Sequence, residues 1–388
     1  MGENEGTRAK VLVITAIDIP YSIHQRTHDL LAHLPPEWIV SALYFSDSSH
    51  DGHTDYRSIR LPRSWLWIPQ VLKRTNWARS THQNYDVVIA QGPWAGVVGA
   101  ELKILGRVGT FVYEDLDFFP GDAHAVGQRV LVATVERSCI RIADGVICVG
   151  HRLATLRRAQ GAKAIAVVRN GVDNALFGVA HDPHDEPTLV YSGSLAAWSG
   201  LDLVIRGMKW ATKLMPGIRL CIAGYGERQK SLMDLTRELG LEKCVQFMGR
   251  VPYGELPKLL GRSDVGLSMF APGELTRFAS PLKVVEYMAA GLPVAVTEDT
   301  EAADFVAESG AGLVVPYDAE KFAFSVTSLL LDHDSYTRCS RSARQAAKDL
   351  DWSSLFKREA EFISDIQDRR SASSRAPGRL RPSSGRWV

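Results

Sequence analysis

Short apolar runs separated by helical stretches recur along this chain, and that alternation most constrains its fold. Val11–Thr15, Trp38–Phe45, Val87–Ala90, Thr110–Tyr113 and Gly145–Val149 make one set of five. Leu189–Ser192, Arg219–Ala223, Val245–Phe247, Val265–Ser268 and Pro293–Val296 make another. Near-continuous hydrophobic runs of this length are strands buried on both faces, and the helical segments between them are their crossovers. The pattern predicts an α/β protein of two Rossmann-like domains, each a parallel sheet wrapped by helices. Sites in such sheets open at the carboxyl ends of the strands, so the reaction cleft is expected between the domains.

The boundaries follow from composition. Residues 1–9 are polar and expected to be disordered, 10–177 form the first domain, and 178–187, rich in His, Asp and Pro, read as a linker. Residues 188–350 form the second domain, and after Asp368 a tail of Arg, Ser, Pro and Gly (369–388) has too little to bury and reads as disordered. At 388 residues the chain holds two cores of ordinary size, and a net charge of +1 gives no general pull toward nucleic acid. Five scattered cysteines without a CxxC pair suggest neither a zinc site nor a disulfide framework, pointing to reduced thiols in a cytoplasm. The first residues lack the apolar core of a signal peptide, and no apolar run of bilayer length is present.

One segment carries chemistry by itself. In Ser280-Pro281-Leu282-Lys283-Val284-Val285-Glu286 the spacing predicts a helix with Ser280 as N-cap and Pro281 at the first helical position. Its free N–H groups and positive dipole end face an anion, with Lys283 adding a full charge. Glu286, three residues on, projects from the same face and is placed to accept from the two hydroxyls of a ribose. Gly193-Ser194 follows a strand and lets the backbone approach a diphosphate; Gly224-Tyr225-Gly226 is a second short turn.

The order Ser-Pro-Leu-Lys-x-x-Glu-Tyr-Met-Ala-Ala-Gly-x-Pro-Val from Ser280 to Val294 resembles the donor-site signature of GT-B glycosyltransferases, particularly the family 4-like group. Val168–Asp173 with Phe177, Tyr191–Leu195, Cys221–Glu227, Val245–Pro252, Ser263–Leu267 and Gly310–Pro316 match further family segments in order. The resemblance covers roughly residues 10–365 and implies a nucleotide-sugar donor on the second domain. It implies that Pro281 and Leu282 belong to the donor site, that Arg250-Val251 contacts the base through its backbone, and that the last helix (351–368) crosses back onto the first domain. The family's diphosphate-gripping Arg and Lys fall here on Ser194 and Ser199, and the first Glu of its Glu-x7-Glu pair falls on Phe278. Glu274 or Arg277 is then placed to take over sugar or phosphate contacts, and Lys283 carries more of the phosphate charge.

Catalysis turns on Val112-Tyr113-Glu114-Asp115-Leu116-Asp117, an acidic cluster at a strand end. Its spacing resembles an element of bacterial exopolysaccharide glucuronosyltransferases of the xanthan-assembly type, which implies Asp117 as the general base on the acceptor hydroxyl and hence inversion. The family 4 resemblance instead implies retention. Two further readings stand beside it: Asp115 and Asp117 cap the turn at Phe118-Phe119-Pro120, or Asp115-Leu116-Asp117 is a metal-binding DxD. Arg26, in the loop after the first strand, is placed to meet an acceptor phosphate or the donor diphosphate.

Between Arg57 and Arg79 lie six basic residues (Arg57, Arg60, Arg63, Lys73, Arg74, Arg79) and no acid, interleaved with Trp65, Trp67 and Trp77. Arg and Trp together suit an anionic membrane surface; a helix packing its aromatics inward is the plainer reading, and no nucleic-acid motif accompanies the segment. Together these readings give a cytoplasmic, membrane-peripheral glycosyltransferase. It takes a nucleotide-sugar as substrate, requires no metal or cofactor, and acts on a lipid-linked or polysaccharide acceptor. A nucleotide-sugar epimerase or hydrolase, and a degenerate binding module, are the alternatives.

Overall fold

The computed structural model describes residues 8–15, 25–45, 57–61, 67–122, 125–182 and 186–375. They fall into two compact units: one comprises the chain to Arg169 together with everything from Trp352, the other Asn170–Asp351.

The first unit holds strands β1 (Lys10–Ile14), β2 (Ile39–Phe45), β3 (Arg57–Leu61), β4 (Tyr85–Gln91), β5 (Val108–Asp115), β6 (Gly145–Cys148) and β7 (Ile165–Val167). They form one sheet in the order β3-β2-β1-β4-β5-β6-β7, every neighbour parallel. The second unit has β8 (Thr188–Ser192), β9 (Arg219–Ala223), β10 (Val245–Gly249), β11 (Val265–Ser268), β12 (Val294–Thr297) and β13 (Gly312–Val315). Its order is β10-β9-β8-β11-β12-β13, again parallel throughout. Central strands are fully buried, as their unbroken apolar runs require. In each sheet the strand order reverses beside one central strand, β1 in the first and β8 in the second, the switch point at whose carboxyl ends open α/β sheets bind their ligands.

Three strands were not legible as apolar runs. β3, Arg-Ser-Ile-Arg-Leu, is an edge strand whose charges mask its alternation, so Arg57 and Arg60 lie on a strand rather than in a continuous basic segment. β7 and β13 are short.

The unit boundary falls at 169/170, before the expected 177/178. Asn170–Phe177 is tied into the second unit: Val172 N donates to Leu350 O at 2.9 Å, and Asn174 Nδ2 to Ala347 O at 3.0 Å. The expected linker also packs there, with Asp182 N donating to Gly261 O and Arg262 pairing with Asp182, both at 2.7 Å. The last helix, Trp352–Arg375, belongs to the first unit and continues past Asp368, where the sequence suggested a disordered tail. Arg370 holds that extension by pairing with Asp144 at 2.9 Å. The helix buries Trp352, Phe356, Phe362, Ile363 and Ile366, and Trp352 stacks on Phe356 at 5.2 Å. Residues 1–7 and 376–388 lie outside the described residues.

Candidate functional site

The second unit gathers its turns around β8. Ser192, the last residue of β8, donates its N–H to Tyr287 Oη at 2.7 Å, pinning the helix Leu282–Ala289 to that strand end. Gly193 follows at φ +138°, a conformation that disfavours any side chain, and Gly224 after β9 also has positive φ. A Cβ on Gly224 would strike Gly193 O, and one on Gly193 would lie 2.8 Å from Lys283 Nζ. These glycines let two strand-end turns and the helix start close on one point. Ser194 O accepts from Tyr191 Oη at 2.7 Å.

The helix begins one residue later than its spacing predicts. Pro281 (φ −74°, ψ 138°) is itself the N-cap and makes no side-chain cap bond, while Ser280 precedes it and accepts from Asn170 Nδ2 at 2.5 Å through its carbonyl. The extended ψ of Pro281 keeps it outside the first turn, so Ser280 caps nothing. Leu282 opens the helix, and Lys283 follows directly.

Lys283 is 8% exposed, and its Nζ has no hydrogen-bond partner. It sits 3.8 Å over the Tyr191 ring and 5.8 Å from that of Phe270, the latter just past β11. Burial pushes its pKa from 10.5 down to about 7, against a raising effect from Glu286. Glu286 is likewise buried, and burial pushes its carboxyl up to about 7 against the lowering influence of a Tyr253 hydrogen bond and of Lys283. Tyr253 in turn packs on Phe177 at 5.3 Å. An ammonium buried without a partner beside a helix start has the chemistry to receive an anion.

The remaining donor candidates lie on other turns of the second unit. Arg250 and Val251 follow β10, and the Arg250 guanidinium lies 4.3 Å over the ring of exposed Tyr225. Exposed Glu274 and Arg277 form the ends of a short helix, with Arg277 3.7 Å from Asp299. The sequence did not single out Tyr191, Phe270, Tyr253 or Asn170. Tyr191 and Phe270 sit in or just after strands and read as core, and Tyr191 and Asn170 were visible only as parts of motifs.

In the first unit the acidic cluster divides. Glu114 and Asp115 are fully buried. Asp115 takes Arg157 Nε at 2.7 Å and Nη2 at 3.1 Å, and Arg157 also pairs with Glu136 at 2.8 Å. Burial raises the pKa of Asp115 and pushes Glu136 up to about 8. Asp115 is therefore committed to Arg157, which removes the DxD reading. Asp117 lies just beyond the end of β5, half-exposed, with Oδ1 accepting from Phe118 N at 2.8 Å.

Arg26 is not available to substrate. It is 3% exposed, donating Nε to Glu114 at 2.6 Å, Nη1 to Arg169 O at 2.9 Å and Nη2 to Glu359 at 3.4 Å, with Phe356 stacked at 5.5 Å. The sequence placed Arg26 at a helix start but gave no sign of its two acidic partners, Glu359 being 333 residues away. Of the supposed membrane segment, Arg63 and Trp65 lie outside the described residues. Trp67, Lys73, Arg74 and Trp77 lie on the helix Trp67–Ser80, with Lys73 and Trp77 half-buried. Among the described residues no group of three or more His, Cys, Asp or Glu is arranged to hold a metal ion, and no helix is long and apolar enough to cross a membrane.

Residues 174–346, which contain the helix start, Lys283 and Glu286, match the family described as Glycosyl transferases group 1. This stretch is a group 1 glycosyltransferase domain. Glycogen synthase of Mycobacterium tuberculosis is 29% identical over 231 residues, 58% of this chain and 55% of that protein. The chain thus spans about half the length of that relative. A putative colanic acid biosynthesis glycosyltransferase, WcaL of Salmonella typhimurium, is 25% identical over 298 residues, 72% of this chain and 71% of the relative. Anabaena Alr3699/HepE, solved in complex with UDP and glucose, superposes with a TM-score of 0.73 at 21% identity, covering 92% of this chain and all of that one. The two sheets are those of the GT-B fold, and the group 1 domain is its second unit.

Proposed function

We propose that the chain is a glycosyltransferase that moves a sugar from a nucleotide-sugar to a hydroxyl of a glycolipid or surface-polysaccharide acceptor. The partnerless ammonium of Lys283, buried at the start of helix Leu282–Ala289 against Gly193, carries this reading. The donor diphosphate supplies the missing partner, and its leaving-group charge is stabilised by that ammonium and the helix dipole. Glu286, held by Tyr253, receives the ribose hydroxyls, and the base lies toward Arg250 and Val251. Pro281, Leu282, Ser194, Glu274 and Arg277 border the donor, with Ser280 contributing only backbone. Asp117 takes the proton of the acceptor hydroxyl as its oxygen attacks the anomeric carbon and the diphosphate departs. Two relatives support the substrate class: the complex of HepE with UDP and glucose, and the colanic acid assignment of WcaL.

Melting curves with a panel of nucleoside diphosphates and nucleotide-sugars test the donor. Ligand at a hundredfold excess over Kd stabilises the folded protein by about 2.7 kcal/mol. No response to any of them in the wild type refutes the reading. Turnover of donor without acceptor would instead favour the hydrolase alternative.

A further inference from the structure

The helix Val126–Ile142 of the first unit begins in the open. Every residue from 125 to 131 is exposed, including Val126 at 81%, Val130 at 60% and Leu131 at 40%. Only its later turns are anchored, through Val132, Glu136, Cys139 and Ile140. The exposed turns have no side-chain cap at Ala125 and contain Gly127, so neither packing nor local propensity explains three branched apolar side chains in water. The charge on this helix is one-sided. Arg129, Arg137 and Arg141 are its basic residues, and its single acid, Glu136, is buried on Arg157.

Two neighbours give this start a setting. The helix packs against Gly92–Ile104, which also packs against Trp67–Ser80, the helix carrying Lys73, Arg74 and Trp77, whose Arg79 is paired with Glu101 of Gly92–Ile104. It packs as well on the turn Phe119–Asp122, which directly follows Asp117.

We propose that the first two turns of helix Val126–Ile142 dock on an anionic lipid bilayer. Val126, Val130 and Leu131 enter the boundary between headgroups and acyl chains, and Arg129 and Arg137 meet the lipid phosphates. Charge complementarity selects this occupant: apolar side chains at the start of a helix whose exposed charges are all basic match an anionic interface. A second copy of the chain would bring like charges together at the same face. The docking deepens the lipid-linked acceptor reading by fixing which part of the first unit meets the membrane. It would present the Asp117 turn to the bilayer.

Sedimentation with phosphatidylcholine vesicles, with and without phosphatidylglycerol, tests this on the full chain. The double variant Val130→Asp, Leu131→Asp should lower the bound fraction about tenfold or more, since each buried aliphatic side chain contributes more than that factor. Arg129→Gln with Arg137→Gln should weaken binding to the anionic vesicles alone, and added salt should do the same to the wild type. All the sites are exposed, so both variants should keep the wild-type circular dichroism and any melting response to UDP. Wild-type-level binding by the double aspartate variant overturns the proposal. So does a wild-type dimer that this variant converts to monomer, because the face would then bind its own copy. A wild type that binds vesicles as described but ignores every nucleotide would refute the donor reading and leave the docking intact.

Discussion

Replacing Lys283 by Met should stabilise the unliganded protein while abolishing its response to nucleotide. Holding the ammonium at a pKa of about 7 rather than 10.5 sets about 5 kcal/mol against its charged form, at 1.36 kcal/mol per pH unit. At pH 7 the folded chain escapes a little of this by shedding the proton, leaving about 4 kcal/mol. Contact with the Tyr191 ring returns about 1–2 kcal/mol. Methionine fills nearly the same volume with no charge to desolvate, so a gain of about 2–3 kcal/mol is expected, a rise of roughly 5–10 °C in Tm for a domain of this size. The sign with pH follows from proton counting. Between pH 7 and 10.5 the unfolded chain binds more protons at this position, so wild-type stability through this group rises with pH. The advantage of Lys283→Met is therefore largest at or below pH 7 and shrinks toward pH 10. Scanning calorimetry of both proteins, with and without UDP, measures all of this. A variant that melts lower than wild type without ligand, or that keeps the UDP-induced shift, would show that Lys283 is not a charge held in reserve for an anion.

Four further outcomes follow from the same geometry. In a Glu286→Gln background, which removes the raising effect of Glu286 on Lys283, UDP affinity should fall about tenfold per unit across and above pH 7, because free Lys283 has already shed its proton there; titration calorimetry showing a flat profile would refute this. Gly193→Ala should cost about 1–3 kcal/mol of stability from its φ of +138° and displace Lys283, removing the UDP-induced melting shift. Asp117→Asn should lower kcat by about 10²–10⁴ with the UDP-induced shift retained, and loss of both would mark Asp117 as structural. Arg26→Met should destabilise by about 3–5 kcal/mol, since Glu114 and Glu359 would be left buried without their cation; a variant as stable as wild type would restore Arg26 as a substrate contact.

The sequence was most informative where one periodicity dominated. Ten apolar runs marked ten of the thirteen strands among the described residues, because a strand covered on both faces has no polar alternation to confuse it. β3 was hidden by its own arginines, and the early edge of the second unit by hydrogen bonds from Val172 and Asn174 to Leu350 and Ala347, about 175 positions along the chain. At the site, Lys283, Glu286 and Gly193 were readable because a helix start and a strand-end glycine each have a local signature. Ser280 was misplaced by one residue because Pro281 fits either side of a helix boundary equally well. Arg26, Glu114 and Asp115 looked like chemistry and proved to be internal pairs. Charge and proximity to a strand end were visible in the chain, whereas burial depended on partners far away in sequence, Arg157 for Asp115 and Glu359 for Arg26.

The return of the helix Trp352–Arg375 to the first sheet has a consequence for biosynthesis. The group 1 domain is in effect an insertion within its neighbour, contiguous from Asn170 to Asp351 and complete before the ribosome reaches Trp352. The opening unit must wait, with Glu114 and Arg26 lacking Glu359 and a hydrophobic seat for Trp352, Phe356 and Ile363 uncovered, until the helix Trp352–Arg375 emerges. The half translated first is thus the half that finishes folding last, and premature termination near residue 350 would strand it with that seat exposed.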